Sequence, residues 1–78
     1  KLIGFELIEK GIPRKDYEIY DEDQVKIGRV TSGTMSPSLG KAIGLGFVDN
    51  SYAKTNTIIY INIRNNLIKA LIIKPPFK

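Results

Sequence analysis

Thr57-Ile58-Ile59-Tyr60-Ile61-Asn62-Ile63-Arg64, then Asn65-Asn66, then Leu67-Ile68-Lys69-Ala70-Leu71-Ile72-Ile73-Lys74 is the stretch on which the fold turns. Ile59, Ile61 and Ile63 alternate with Tyr60, Asn62 and Arg64, the period of two that puts one set of side chains on each face of a strand. Ile68, Ala70 and Ile72 repeat the pattern against Lys69 and Lys74. Asparagine tolerates a left-handed backbone better than most residues, so Asn65-Asn66 predicts a two-residue type I′ turn closing a hairpin.

The rest of the chain extends the same reading. Thirteen isoleucines against three alanines favour strands, because β-branched side chains fit a pleated surface and lose rotamer freedom in a helix. Ile3, Phe5 and Leu7 alternate with Gly4 and Glu6 as a first strand, which Gly11, Pro13 and the charged residues 14–16 interrupt. A second strand over 17–20 turns through Asp21-Glu22-Asp23 into a third over 25–31. Residues 32–40, rich in Ser, Thr, Gly and Pro, read as a loop. Residues 41–48 follow as a strand, with Ile43, Leu45 and Phe47 alternating with Ala42, Gly44 and Gly46. Residues 49–54 read as a short helical turn capped by Asp49 or Asn50. Six short strands with frequent turns predict a small closed barrel or a Greek-key sandwich.

Composition removes whole classes of chemistry. The 78 residues make one small domain and contain neither cysteine nor histidine. Thiolate nucleophiles, cysteine-bound zinc, and every Ser-His or Cys-His arrangement are therefore excluded within this segment. No apolar run approaches the ~18–20 residues of a membrane span, so no membrane partner is expected. Charge is uneven: residues 1–40 hold six bases and seven acids, residues 41–78 six bases and only Asp49 as acid. A basic half of this kind suits an anionic ligand or an acidic partner, although a lysine-rich surface also simply confers solubility.

The motifs that suggest catalysis do not hold up. Gly33 to Lys41 contains a Gly…Gly-Lys pattern, but the glycines are too far apart for a phosphate loop. Ala42 also stands where the magnesium-binding hydroxyl belongs. Gly44-Leu45-Gly46 begins like a dinucleotide fingerprint, yet Asp49 occupies the third glycine position and no long helix follows. The acidic triplet lacks the glycine and distal glutamate of a calcium loop, and no metal is expected. Nothing in the spacing of Glu6, Glu9, Asp16 and Glu18 makes an acid–base pair. The seven aromatic residues are scattered rather than interleaved with bases, so no stacking platform for nucleic acid emerges.

Several segments taken in order carry a resemblance. They are Gly4-Phe5-Glu6-Leu7, Gly11-Ile12-Pro13-Arg14, Ile27-Gly28-Arg29-Val30-Thr31-Ser32-Gly33-Thr34 and Ser36-Pro37-Ser38-Leu39. Ala42-Ile43-Gly44-Leu45-Gly46-Phe47-Val48-Asp49, Tyr52-Ala53-Lys54 and Lys74-Pro75-Pro76-Phe77 complete the series. Across essentially its whole length the chain resembles the C-terminal β-barrel domain of the glycine cleavage system T-protein, the aminomethyltransferase. The Val-Thr-Ser-Gly-x-x-Ser-Pro-x-Leu string over 30–39 is its most specific part. Asn56 and Gln24 stand where the family often has glycine; asparagine should keep its turn, whereas Gln24 should close the acidic turn less tightly.

The resemblance implies an all-β fold, a small six-stranded antiparallel Greek-key barrel over 1–78, read as a piece of a longer chain that here starts at Lys1 rather than Met. It implies a parent enzyme that moves a one-carbon unit from an aminomethylated lipoyl arm to tetrahydrofolate, releasing ammonia. Tetrahydrofolate and the essential aspartate of that enzyme belong mainly to a larger N-terminal portion with no counterpart here, so this segment is expected not to be catalytic alone. The implied partners are that N-terminal folate-binding portion and the lipoylated H-protein carrier. The implied compartment is the cytoplasm, or the mitochondrial matrix in a eukaryote. Arg14, Thr31, Ser32, Gly33 and Ser36 are the residues expected to face substrate or partner, being polar or small and in turns, where a rigid scaffold displays function. Turn capping by Thr31 and Ser32, and pairing of Arg14 with an acid, is the competing structural role. A freestanding β-barrel module that binds a protein or an anionic ligand is the alternative from another class. A parent that demethylates glycine derivatives is a third.

Overall fold

The computed structural model describes residues 1–36 and 40–73. The predicted segment at Pro37-Ser38-Leu39 and the Lys74-Pro75-Pro76-Phe77 terminus lie outside the described residues. Six strands form: β1 (Leu2–Leu7), β2 (Glu18–Tyr20), β3 (Lys26–Ser36), β4 (Lys41–Val48), β5 (Ile58–Ile63) and β6 (Asn66–Ile73). They close into a barrel in the order β1-β4-β3-β2-β5-β6, every pair antiparallel. The chain runs β2-β3-β4 as a meander and sets β1 beside β4, which is the Greek-key return. A single 3-10 turn, Asn50–Tyr52, follows β4. Asp49 is its N-cap residue, but the hydrogen bond there runs from the Tyr52 amide to the Asp49 carbonyl at 2.9 Å, not to the Asp49 side chain.

The alternation read from the sequence sorts inside from outside. Ile3, Phe5, Leu7, Ile19, Ile59, Ile61, Ala70 and Ile72 all point into one interior cluster. Fully burying an isoleucine or phenylalanine contributes about 1.5–3 kcal/mol, so this one row of side chains per strand holds the barrel together. Small residues on β4 make room for it: Gly44 and Gly46 face inward, against Phe5 and Ile19. The larger Leu45 and Phe47 therefore point outward.

Two local expectations are corrected. The hairpin between β5 and β6 turns one residue earlier than expected. Ile63 pairs with Asn66, and Arg64 and Asn65 occupy the turn with φ of 50° and 67°. Moving the turn by one residue shifts the pairing by two, so Ile59, Ile61, Ala70 and Ile72 face inward in either register, and the alternation in the sequence does not distinguish them. The supposed loop over 32–40 is also largely strand. β3 continues to Ser36 and pairs with β4 as far as Lys41. Polar side chains do not prevent this, because the ladder is made by backbone groups.

Candidate functional site

The site expected from the sequence is built on the outer part of β3 and the strap that precedes β2. Val30 exchanges backbone hydrogen bonds with the strap: its amide donates to the Tyr17 carbonyl at 2.7 Å, and its carbonyl accepts from the Asp16 amide at 2.8 Å. Asp16 takes a φ of 74° to allow this, and the Tyr17 amide donates to the Arg14 carbonyl at 3.2 Å. Just upstream, buried Pro13 presses its carbonyl against Gly33, where an added Cβ would stand 2.1 Å from the Pro13 oxygen. The structure thus brings Arg14 beside the Thr31-Ser32-Gly33 segment, although 17 positions separate Arg14 from Thr31 in the chain.

Each predicted residue has its own setting. Thr31 is skipped by the β3–β4 pairing, a bulge, and its hydroxyl donates to the Leu45 carbonyl at 3.2 Å. Ser32 is exposed on the outer surface and borders a shallow groove of about 250 Å³ shared with Gly33, Thr34, Ile43, Gly44 and Leu45. Gly33 faces Pro13 and contributes space rather than chemistry. Ser36 pairs with Lys41 at the far end of the hairpin, apart from the other four. Arg14 is exposed and enters no ion pair among the described residues, which leaves its guanidinium available. Thr31 lies on β3 rather than in a turn, and its hydroxyl serves a carbonyl of the neighbouring strand instead of capping a turn; among the described residues no acid pairs with Arg14.

Shifted ionisation lies elsewhere. The Asp21 carboxylate is held below the ordinary range chiefly by the backbone amide of Val25, with the Tyr52 hydroxyl and the Asp23 amide adding to it against the cost of burial. Glu18 is lowered first by the Tyr20 hydroxyl and then by Lys26. Tyr20 and Tyr52 are raised in return by the carboxylates they bond. All four groups are tied up in hydrogen bonds around β2 and its turn. No group of three or more His, Cys, Asp or Glu side chains suited to a metal occurs among the described residues. The candidate site offers donors, hydroxyls and a cation to a ligand, and no paired acid and base.

A second hollow, of about 390 Å³, was not anticipated. Glu6, Glu9, Lys10, Met35 and Lys41 are among its lining, and Lys41 pairs with Glu6 at 3.5 Å. Its only trace in the sequence is the charged run that follows the first strand. The long-range approach of β3 could not be read from that run.

The whole of residues 1–78 matches the family model described as the glycine cleavage T-protein C-terminal barrel domain. The chain belongs to that family. It is similar to an aminomethyltransferase of Bacteroides thetaiotaomicron, 51% identical over all 78 residues, and to that of Bacillus subtilis, 46% identical over 77. The match takes up only 22% and 21% of those relatives, so the chain spans about a fifth of their length. In fold it is similar to the crystal structure of glycine cleavage system aminomethyltransferase T from Bartonella henselae. The TM-score there is 0.89 at 23% identity, covering 99% of this chain and 21% of that one. The T-protein barrel is therefore the architecture that presents Arg14 and the Thr31-Ser32-Gly33 segment.

Proposed function

We propose that this T-protein barrel is the C-terminal scaffold and docking domain of an aminomethyltransferase. The parent enzyme passes a one-carbon unit from the aminomethylated lipoyl arm of the H-protein carrier to tetrahydrofolate and releases ammonia. The observation that carries the reading is the family match over residues 1–78 by a chain that equals only a fifth of its relatives. Residues 1–78 act as one domain of the longer enzyme, and the reacting groups come from the portion outside it.

Neither the groove beside Ser32 nor the larger hollow fits tetrahydrofolate as a whole. The groove beside Ser32 is shallow and no aromatic ring lines it, so a planar pterin finds no stacking partner. The larger hollow sets Glu6 and Glu9 against Lys10 and Lys41, a balanced lining with no net attraction for an anionic glutamate tail. The reading is instead of a wall: Arg14, Thr31, Ser32, Gly33 and Ser36 contribute an edge to a cavity whose other sides belong to the larger portion. Arg14, exposed and in no ion pair among the described residues, is the group suited to an anion there.

The test titrates the isotope-labelled 78-residue chain with a stable tetrahydrofolate analogue and, separately, with a lipoylated carrier. Aminomethyl transfer is assayed in the full-length enzyme with and without the barrel. The expected result is no saturable shift with either ligand alone, and loss of transfer when the barrel is removed. Transfer that survives removal of the barrel overturns the reading. Saturable binding of the carrier by the isolated chain would make the barrel a docking module that recognises the carrier itself, rather than a scaffold.

A further inference from the structure

The strand registers gather on one outer face aromatic and basic residues that the sequence scatters. Directly paired residues of an antiparallel ladder share a face, with Cβ atoms about 4.5–5.5 Å apart. Lys26 on β3 is paired with Tyr20 on β2, Tyr20 with Tyr60 on β5, and Tyr60 with Lys69 on β6. Four strands therefore carry, side by side, a lysine, two tyrosines and a second lysine. The next row along holds Arg29 paired with Glu18, and Asn62 paired with Leu67. Tyr20 and Tyr60 are half-buried, whereas Arg29 and Lys69 are exposed, as is Arg64 in the turn that ends β5. A hollow of about 250 Å³ opens beside Tyr60, lined with it by Leu67, Glu22 and Gln24. Tyr20 is fixed in place by Glu18: its hydroxyl donates to one carboxylate oxygen at 2.7 Å, and Lys26 holds the other at 3.1 Å.

We infer that the outer face of β2, β5 and β6 binds single-stranded nucleic acid. The inference stands apart from aminomethyl transfer and does not rest on the reading of the parent enzyme. Such a face needs aromatic rings on which unpaired bases stack, and cations for the phosphates that join them. Tyr20 and Tyr60 supply two rings one strand spacing apart, about 4.8 Å. Among the described residues Arg29, Arg64 and Lys69 enter no ion pair, so three cations surround the rings with their charge uncommitted. The carboxylates do not cancel them. Glu18 is taken up by Lys26 and Tyr20, and Glu9 accepts the Lys69 backbone amide at 2.8 Å from the β1 side. Glu22 and Gln24, at the hollow beside Tyr60, offer an acceptor and an amide to the edge of a base stacked there, the way single strands are read. A duplex keeps its bases stacked inside and gives the rings nothing to hold, so the face selects single strands. The rings also set it apart from a merely basic surface, since phosphate contacts make no use of them.

Fluorescence anisotropy of short fluorescein-labelled oligo(U) and oligo(dT) tests this in the 78-residue chain and in the full-length enzyme that carries it. Both proteins should bind saturably, with a dissociation constant of about 10⁻⁴–10⁻⁶ M. Tyr20→Leu and Tyr60→Leu keep apolar bulk on the strand and remove a ring, and each should weaken binding at least about fivefold. Tyr60→Phe keeps the ring and should stay within about twofold of the parent. Arg29→Ala and Lys69→Ala should each lower the slope of log K against log salt by about 0.7. Lys41→Ala, on the β1–β4 side where Lys41 pairs with Glu6, should change neither affinity nor slope. Amide shifts of the unsubstituted, isotope-labelled chain on adding oligo(U) should map to Tyr20, Tyr60 and Lys69, a readout that needs no substitution to fold. Binding that both leucine variants retain in full is attraction to any polyanion and overturns the inference. So do shifts confined to another face, and so does equal affinity for a duplex or for heparin. Binding by the 78-residue chain that the full-length enzyme lacks means that the face is covered there, and overturns it too.

Discussion

The ring of Phe5 occupies the space that a side chain at Gly44 would need: an added Cβ at Gly44 would stand 2.6 Å from the Phe5 Cζ and 2.7 Å from the Ser32 carbonyl oxygen. The two residues are directly paired across β1 and β4, so the large one fills the interior for both. Gly44→Ala should therefore cost about 1–3 kcal/mol, the usual range for overpacking a filled core. Phe5→Leu in the Gly44→Ala background should return part of that loss, because it removes the atoms in the way. Urea midpoints of the two single variants and the double variant measure this. An additive pair would mean that the ring and the glycine do not share the space.

The turn between β2 and β3 makes stability depend on pH. One Asp21 oxygen accepts from the amides of Asp23 and Val25, both at 2.9 Å, and the other from the Tyr52 hydroxyl at 2.9 Å. These bonds favour the ionised form, and its folded pKa is depressed. A depressed carboxylate contributes stability that is fully present above its unfolded value, about 3.9, and is lost as pH falls through the lower folded value. The denaturant midpoint should hold through neutral pH and drop below about pH 4. Asp21→Asn should be less stable at pH 7 and show a flatter acid limb, and Tyr52→Phe should shift the limb in the same sense by less. An acid limb unchanged in Asp21→Asn would assign the loss to other carboxylates.

Local rules made much of this architecture legible. Ile59, Ile61, Ala70 and Ile72 announce their inward rows because only one face of each strand can be buried. Gln24 and Asn56, standing where the family often has glycine, do take positive φ, 63° and 72°. The acidic turn is nonetheless fully closed, by the Asp21 carboxylate and by a Gln24 amide to Asp21 carbonyl bond of 3.1 Å. That closure was not expected, since the sequence does not show that Asp21 is buried and bonded to Tyr52, 31 residues away. The continuation of β3 was hidden for a related reason. Ser32, Gly33 and Thr34 have the composition of a loop, and only pairing with β4 makes them strand. Grouping Arg14 with Thr31 likewise depends on Pro13 seating against Gly33, a contact between distant segments that periodicity does not encode.

Arg64 pays a conformational cost in the β5–β6 turn. A left-handed backbone costs an ordinary residue about 1–2 kcal/mol, and arginine at a φ of 50° has no short polar side chain to offset it. Arg64→Asn should stabilise the barrel by up to about 1 kcal/mol, read as a raised urea midpoint with an unchanged slope. Asn66→Gly, at the position expected from the sequence to lie in the turn, should instead destabilise, since Asn66 is the first residue of β6. If Asn66→Gly stabilised and Arg64→Asn did not, the hairpin would turn at Asn65-Asn66 after all.

Ile61 separates packing from charge. It is fully buried and paired with Ile19 on one side and Ile68 on the other, at the centre of the β2–β5–β6 wall. Ile61→Ala removes buried methyl and methylene groups and should cost about 2–5 kcal/mol, with a cavity left by the closed barrel's limited freedom to collapse. A domain of this size has a total stability of about 4–12 kcal/mol, so the alanine variant should fold with a lowered melting temperature. Ile61→Asp is a different kind of change. Its carboxylate would sit among isoleucines with no partner, and the chain can escape only by unfolding or by binding a proton, which pushes that carboxyl upward. The aspartate variant should be unfolded at pH 7 and regain strand signal by circular dichroism as pH falls toward 5. That window lies above the range in which Asp21 is lost, so the recovery is not masked by the acid limb. A variant that melts like the parent at pH 7 would place Ile61 in water.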